Sequence, residues 1–176
     1  KLFIDNMEIY MEKYLEDLKK LASGELVAAT QYQIAAQGLI GPNQSYLAGH
    51  FAEHHTEELD HYLQIVNALM ERGVALEVNL HKTLDEGMPP LVELETNTTQ
   101  YLRKFFADRE QEAIDAYQKF HEEIKDIDAD LDDIVVGIIA DERDHKLDMD
   151  RLEEESELLA SQVEFERDHK LDMDRL

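Results

Sequence analysis

Val135-Val136-Gly137-Ile138-Ile139-Ala140-Asp141-Glu142-Arg143-Asp144-His145 reads as a helix whose inner side does not stay apolar. Steps of three and four keep side chains on one helical face, and here they give Leu131, Val135, Ile138, Glu142, His145, Met149 and Leu152. A carboxylate and an imidazole stand where a bundle helix normally carries core residues. Three other segments repeat the anomaly. The first reads Leu18, Leu21, Glu25, Ala28, Tyr32, Ala35 and Leu39; the second reads Leu47, Phe51, His54, Glu58, His61 or Tyr62, Ile65 and Leu69. The third reads Leu102, Phe106, Glu110, Ala113, Tyr117, Phe120 and Ile124. Glu112, a competing acid on that segment, lies off the stripe and is expected in solvent.

The pattern is therefore Glu, Glu-x-x-His, Glu, Glu-x-x-His, one element per helix: Glu25, Glu58 with His61, Glu110, Glu142 with His145. Ionised groups on apolar stripes need a compensating partner, because burying a lone carboxylate is expensive. Two divalent cations would provide one: four glutamates carry −4, the imidazoles bind neutral, and two M²⁺ ions bring the set to zero. A single Glu-x-x-His arises readily by chance on a helix surface; two on stripes, each joined to a stripe Glu, do not.

Composition limits the alternatives. At 176 residues, with 7 Gly and 3 Pro, the chain suits one domain of long helices with few loops. The absence of Cys excludes disulfides, thiolate zinc sites and a rubredoxin-type iron centre, and is compatible with a reducing cytoplasm. No apolar run approaches the roughly 20 residues of a membrane span, and the start shows no secretory pattern, so a cytoplasmic protein is expected. A formal charge of −24 argues against nucleic-acid partners, which are bound by replacing phosphate counterions with Lys and Arg. Cations are the expected guests.

The punctuation places the elements. Asp5 with Glu8 forms a capping-box pattern, with Ile4 and Ile9 as a staple, so the first helix is expected from there to about Ile40. Gly41-Pro42-Asn43 breaks it, and the second helix runs to about Arg72, with Gly73 as a left-handed terminator. The stretch from Gly73 to about Thr96, with Gly87-Met88-Pro89-Pro90, is too long for a hairpin and suits a crossover. A third helix is expected over 97–125, a turn at Asp126-Ile127-Asp128, and a fourth helix from Ala129 to about Leu159. The expected plan is an all-α bundle over 1–160, followed by a tail or short fifth helix over 161–176. In that tail Glu166 to Leu176 repeats Glu142 to Leu152 without a change. It reads as a tandem duplication or a sequence-assembly artefact. Its Glu166 and His169 lack third and fourth elements, so no catalytic metal is expected there.

Lys20-Leu21-Ala22-Ser23-Gly24-Glu25-Leu26-Val27-Ala28-Ala29-Thr30-Gln31-Tyr32 resembles the first helix of the ferritin-like superfamily, most closely the bacterioferritin and ferritin group, which carries a similar Glu-Leu-Val-Ala-x-x-Gln-Tyr run. Glu110-Gln111-Glu112-Ala113-Ile114 resembles the family pattern as well and also selects Glu110. The resemblance implies a four-helix bundle with one long crossover between the second and third helices. It implies that Glu25 and Glu110 are terminal ligands of two metals, that Glu58 and Glu142 bridge them, and that His61 and His145 cap one metal each. It places Tyr32 beside the site, with packing or a redox role open. Bacterioferritins hold haem through a methionine directly after the bridging Glu of the second helix. Here that position is Leu59, so haem is not expected.

The implied activity is a di-iron ferroxidase that oxidises Fe²⁺ with O₂ or H₂O₂ and stores iron in a homo-oligomeric shell of 24 or 12 copies. Carboxylates with imidazoles suit Fe²⁺ and Mn²⁺, and Zn²⁺ can substitute without turnover. A rubrerythrin-like di-iron or di-manganese redox enzyme without storage, and a metal-free helical scaffold, remain alternatives. His54 reads as a guide to the site, an extra ligand or, the preferred reading, a bundle-edge residue. His50 and His55 read as surface residues, and Tyr117 as core packing. Glu53 and Glu57 face either a cage interior, as cation uptake points, or plain solvent.

Overall fold

Each striped segment forms a helix in the computed structural model, which describes residues 2–40, 44–74 and 99–173, with side chains over 13–40, 45–74 and 101–152. The helices are α1 (Leu2–Gly38), α2 (Gln44–Glu71), α3 (Thr99–Ile124) and α4 (Ala129–Met173). The expected Asp5 cap is not a cap: α1 already runs from Leu2. The segment expected as a tail or fifth helix continues α4 without a break to Met173. No Gly or Pro follows Gly137, so nothing in the chain stops that helix. Gly41-Pro42-Asn43, the crossover over 75–98 and the side chains of Glu166 and His169 lie outside the described residues.

Two apolar clusters fix the directions of the helices. One gathers Leu18 from the early part of α1, Leu69 from the end of α2, Ile124 from the end of α3 and Leu131 from the start of α4. The other gathers Leu39, Leu47, Leu102 and Leu152, at the opposite ends of the same helical stretches. So α1 runs antiparallel to α2 and α3 antiparallel to α4, while α2 ends and α3 begins at opposite ends of the bundle. A crossover connection requires that arrangement. Each fully buried Phe, Leu or Ile contributes about 1.5–3 kcal/mol, so the clusters hold rigid the polar layer that lies between them.

The ends of α2 and α4 are tied together. Gly73, at φ 74°, closes α2: its N–H donates to Met70 O at 3.0 Å, and Val74 N–H donates to Leu69 O at 3.0 Å. This pair of bonds satisfies carbonyls a helix end leaves free, and glycine adopts the left-handed conformation at least cost. Asp128 caps α4 by accepting from Leu131 N at 3.2 Å and also receives Arg72 Nε at 2.7 Å and Nη2 at 2.6 Å. The Arg72 guanidinium holds the Asp128 carboxyl below its usual 3.8. Asp128→Ala is therefore expected to cost about 1–3 kcal/mol in chemical denaturation near neutral pH. Because the folded value is depressed, the contribution is present above pH 3.8 and is lost as pH falls through the lower folded value. Equal losses for wild type and variant on acidification would exclude the pair as their source.

Candidate metal centre

Between the two apolar clusters, the four helices aim six polar side chains at one another. Glu25, Glu58, His61, Glu110, Glu142 and His145 are all buried, Glu58 and Glu142 at 1% exposure. They form two groups, Glu25, Glu58, His61 and Glu142, and Glu58, Glu110, Glu142 and His145; within each group the donor atoms lie within 4.8 Å of one another. Glu58 and Glu142 belong to both. Each sends one oxygen to each side: Glu142 Oε1 is 3.2 Å from His61 Nδ1 and Oε2 is 3.6 Å from His145 Nδ1, while Glu58 Oε2 and Oε1 lie 3.5 and 3.2 Å from the same two atoms. Glu112, as expected, is exposed and pairs with Arg109 at 2.8 Å.

The outer faces of these groups are held by residues that complete a near two-fold pattern. His61 Nε2 donates to Asp141 Oδ2 at 3.2 Å, and His145 Nε2 donates to Glu57 Oε2 at 2.9 Å, which turns both Nδ1 atoms inward. Tyr32 OH donates to Glu110 Oε1 and Tyr117 OH donates to Glu25 Oε1, leaving the other oxygen of each glutamate facing its histidine. Tyr117 is thus more than core packing. Glu57 is the partner of His145, and Asp141 has the same role for His61. Their signal is in the sequence: an acid directly precedes each Glu-x-x-His, at Glu57-Glu58 and Asp141-Glu142. Glu53 is exposed, its carboxylate 3.9 Å from His50. His55, expected at the surface, is half-buried and bonds Ala29 O at 2.8 Å. His54, expected at the bundle edge, is buried, with its ring stacked 5.2 Å from Tyr32.

Charge is balanced internally. Burial drives Glu25 and Glu110 well above the usual carboxyl range, and the charge on Glu58 adds to it, which favours their protonated forms. Burial opposes ionisation of Glu58 and Glu142 too, but the facing imidazoles outweigh it and hold both below the usual range. Burial likewise works against charge on the two histidines, yet the carboxylates raise His145 to about 10 and raise His61 as well. Burial lowers His54 to about 4, with His145 pushing the same way, so that ring is neutral.

The donor set fits a pair of divalent ions. Glu58 Oε1, both Glu142 oxygens and the Nδ1 atoms of His61 and His145 are sealed from solvent with no hydrogen bond satisfying them, and all face one another. Orphaned buried polar atoms that converge need a cation or an equivalent to offset their desolvation. Outside them, between α2 and α4, a cleft of about 230 Å³ is lined by Glu57, Asp60, Asp141 and Asp144 and floored by His61 and His145.

The sequence pattern of the ferritin-like domain matches residues 15–159. This chain belongs to that family. Among solved structures, the dodecameric thioferritin of Bacteroides fragilis, a bacterioferritin-related protein, is 21% identical, with a TM-score of 0.80 over 86% of this chain and 90% of that one. The Dps92 protein of Deinococcus radiodurans is 9% identical, with a TM-score of 0.76 over 81% and 86%. A ferritin-like di-iron carboxylate protein of Bacillus anthracis is 23% identical, with a TM-score of 0.61 over 81% and 96%. At these identities the likeness is one of fold. No curated protein matches the chain by sequence. Among the described residues, no helix is long and apolar enough to cross a membrane.

Proposed function

We propose that this chain is a cytoplasmic ferroxidase that takes two Fe²⁺ ions as substrate, oxidises them with O₂ or H₂O₂, and passes the ferric product into the interior of a homo-oligomeric shell. The observation that carries this reading is the pair of four-donor groups sharing Glu58 and Glu142, buried and otherwise unsatisfied. Carboxylates with one imidazole per ion suit Fe²⁺, and Mn²⁺ or Zn²⁺ would fit the same donors. Two ferrous ions side by side give up two electrons together. With two protons, these reduce H₂O₂ to two waters or O₂ to H₂O₂, and no one-electron oxygen radical is released.

The protein supplies position and protons. Glu58 and Glu142 would be shared by the two ions and Glu25 and Glu110 would hold one each, while His61 and His145 are aimed by Asp141 and Glu57. Tyr117 and Tyr32 fix the outer oxygens of the terminal glutamates. The four carboxylates around the cleft raise the local concentration of cations above the two histidines.

The dodecameric state of the Bacteroides relative supports a shell of twelve copies. Light scattering is then expected to give about 245 kDa, twelve chains of 20.4 kDa. Anaerobic Fe²⁺ titration is expected to fill two tight sites per chain, which oxidise when air is admitted. A dimer-sized particle with that activity would point instead to a redox enzyme without storage. Failure to bind Fe²⁺ tightly would leave a metal-free scaffold.

A further inference from the structure

The near two-fold pattern fails at one buried position. Laying Glu58 on Glu142 brings Glu57 onto Asp141 and His61 onto His145, but His54 falls on Ile138, a buried apolar residue. In the same register His50 falls on Ile134 and Asp148 on Gln64, so this polar trio exists on one side of the bundle only. Packing accounts for the ring of His54, stacked on Tyr32 and set edge-on 4.3 Å from His145. It does not account for the nitrogens. Its Nδ1 is sealed from solvent and has no hydrogen-bond partner among the described residues. Native structures leave few buried polar groups in that condition without a role.

Nε2 of His54 points at Asp148 Oδ2, 4.0 Å away, too far for a hydrogen bond. His50 lies one turn back on the same face of α2, and donor atoms of His50, His54 and Asp148 all lie within 4.8 Å of one another. Atoms so spaced can close on one ion, at the usual 2.0–2.2 Å or so from each, with small side-chain movements. Behind the ring, Nδ1 faces Glu57 Oε2 at 3.7 Å, the same carboxylate that aims His145. His54 thus repeats the arrangement of the ligand histidines, a carboxylate behind and a donor nitrogen in front.

We propose that His50, His54 and Asp148 form a mononuclear site for a divalent first-row transition metal, beside the paired centre and distinct from it. Two imidazoles and one carboxylate with open positions form the ligand pattern of mononuclear Fe²⁺, and Co²⁺ and Zn²⁺ fit it too. The site shares no ligand with the pair, and so stands or falls separately from the ferroxidase reading. Glu57, touching a histidine of each, connects the two.

Crystals of the full-length protein soaked in Co²⁺ test the proposal. Three anomalous peaks per chain are expected, two at the paired centre and one among His50, His54 and Asp148. His50→Ala and Asp148→Asn, both at partly exposed positions, should each remove the third peak and keep the other two. In solution, one of the three Co²⁺ equivalents should weaken about tenfold or more in either variant. A wild-type crystal without the third peak, or a third peak that survives both substitutions, would overturn the proposal. A third peak present without the pair would support this site and defeat the paired-metal reading.

Discussion

Glu58→Ala combined with Glu142→Ala is expected to lower aerobic Fe²⁺ oxidation by roughly 100-fold or more while the bundle still forms. Loss of one supporting contact around a metal ligand already costs about 10–100-fold in affinity or activity. These two residues each send an oxygen to both sides of the centre, so their removal strips both groups at once. The fold should survive because the remaining charges can adjust. Without the carboxylates that hold their protons, His61 and His145 shed them and become neutral, as buried imidazoles do. The space left costs stability, so Glu58→Gln with Glu142→Gln serves as the shape-preserving control. It should match wild type in mass and helicity and still lose the activity. Oxidation at wild-type rates in both double variants would mean that the chemistry lies elsewhere.

The fold was legible because apolar and polar residues alternate with one helical period along each element. Gly73 and Asp128 mark ends of helices through their own local chemistry. The six central residues were legible for the opposite reason: each breaks the stripe it stands on. Glu57 and Asp141 keep to the rule for solvated acids, with side chains 55% and 59% exposed, and the one mark they carry along their own helices is their place directly before each Glu-x-x-His. Their role appears only when α2 and α4 face each other. Tyr117 was hidden by similar logic, since a tyrosine on a stripe satisfies the core pattern whether or not its hydroxyl has a task. His54 was misplaced because an imidazole with no visible partner is cheaper at an edge than inside, and burial came from Tyr32 and His145 on other helices. The Asp5 capping box failed because a capping pattern marks where a helix can start, and the chain before it has no residue that prevents helix. The repeated segment after Leu159 carries the helix-forming composition of the original and simply prolongs it.

Metal uptake is expected to release up to about four protons per chain, and the paired ions should be lost steeply as pH falls. In the metal-free centre the shifts favour a neutral set: Glu58 and Glu142, held low, face His61 and His145, held high, while burial pushes Glu25 and Glu110 toward their protonated forms. With two divalent ions in place, neutrality demands the reverse: four ionised glutamates and two neutral imidazoles. Two protons must therefore leave the carboxyls and two the rings. Each released proton competes with the metals, so in the range where all four are held the overall constant for the pair should change by about four decades per pH unit. The sign is fixed by the raised values of Glu25, Glu110, His61 and His145: lower pH keeps the protons on and the metals off. Zn²⁺ titration in two buffers of different ionisation enthalpy counts the protons without involving turnover. Release of fewer than two protons would show that the six groups are already arranged as ligands before metal arrives, and would overturn this proton inventory for the metal-free centre.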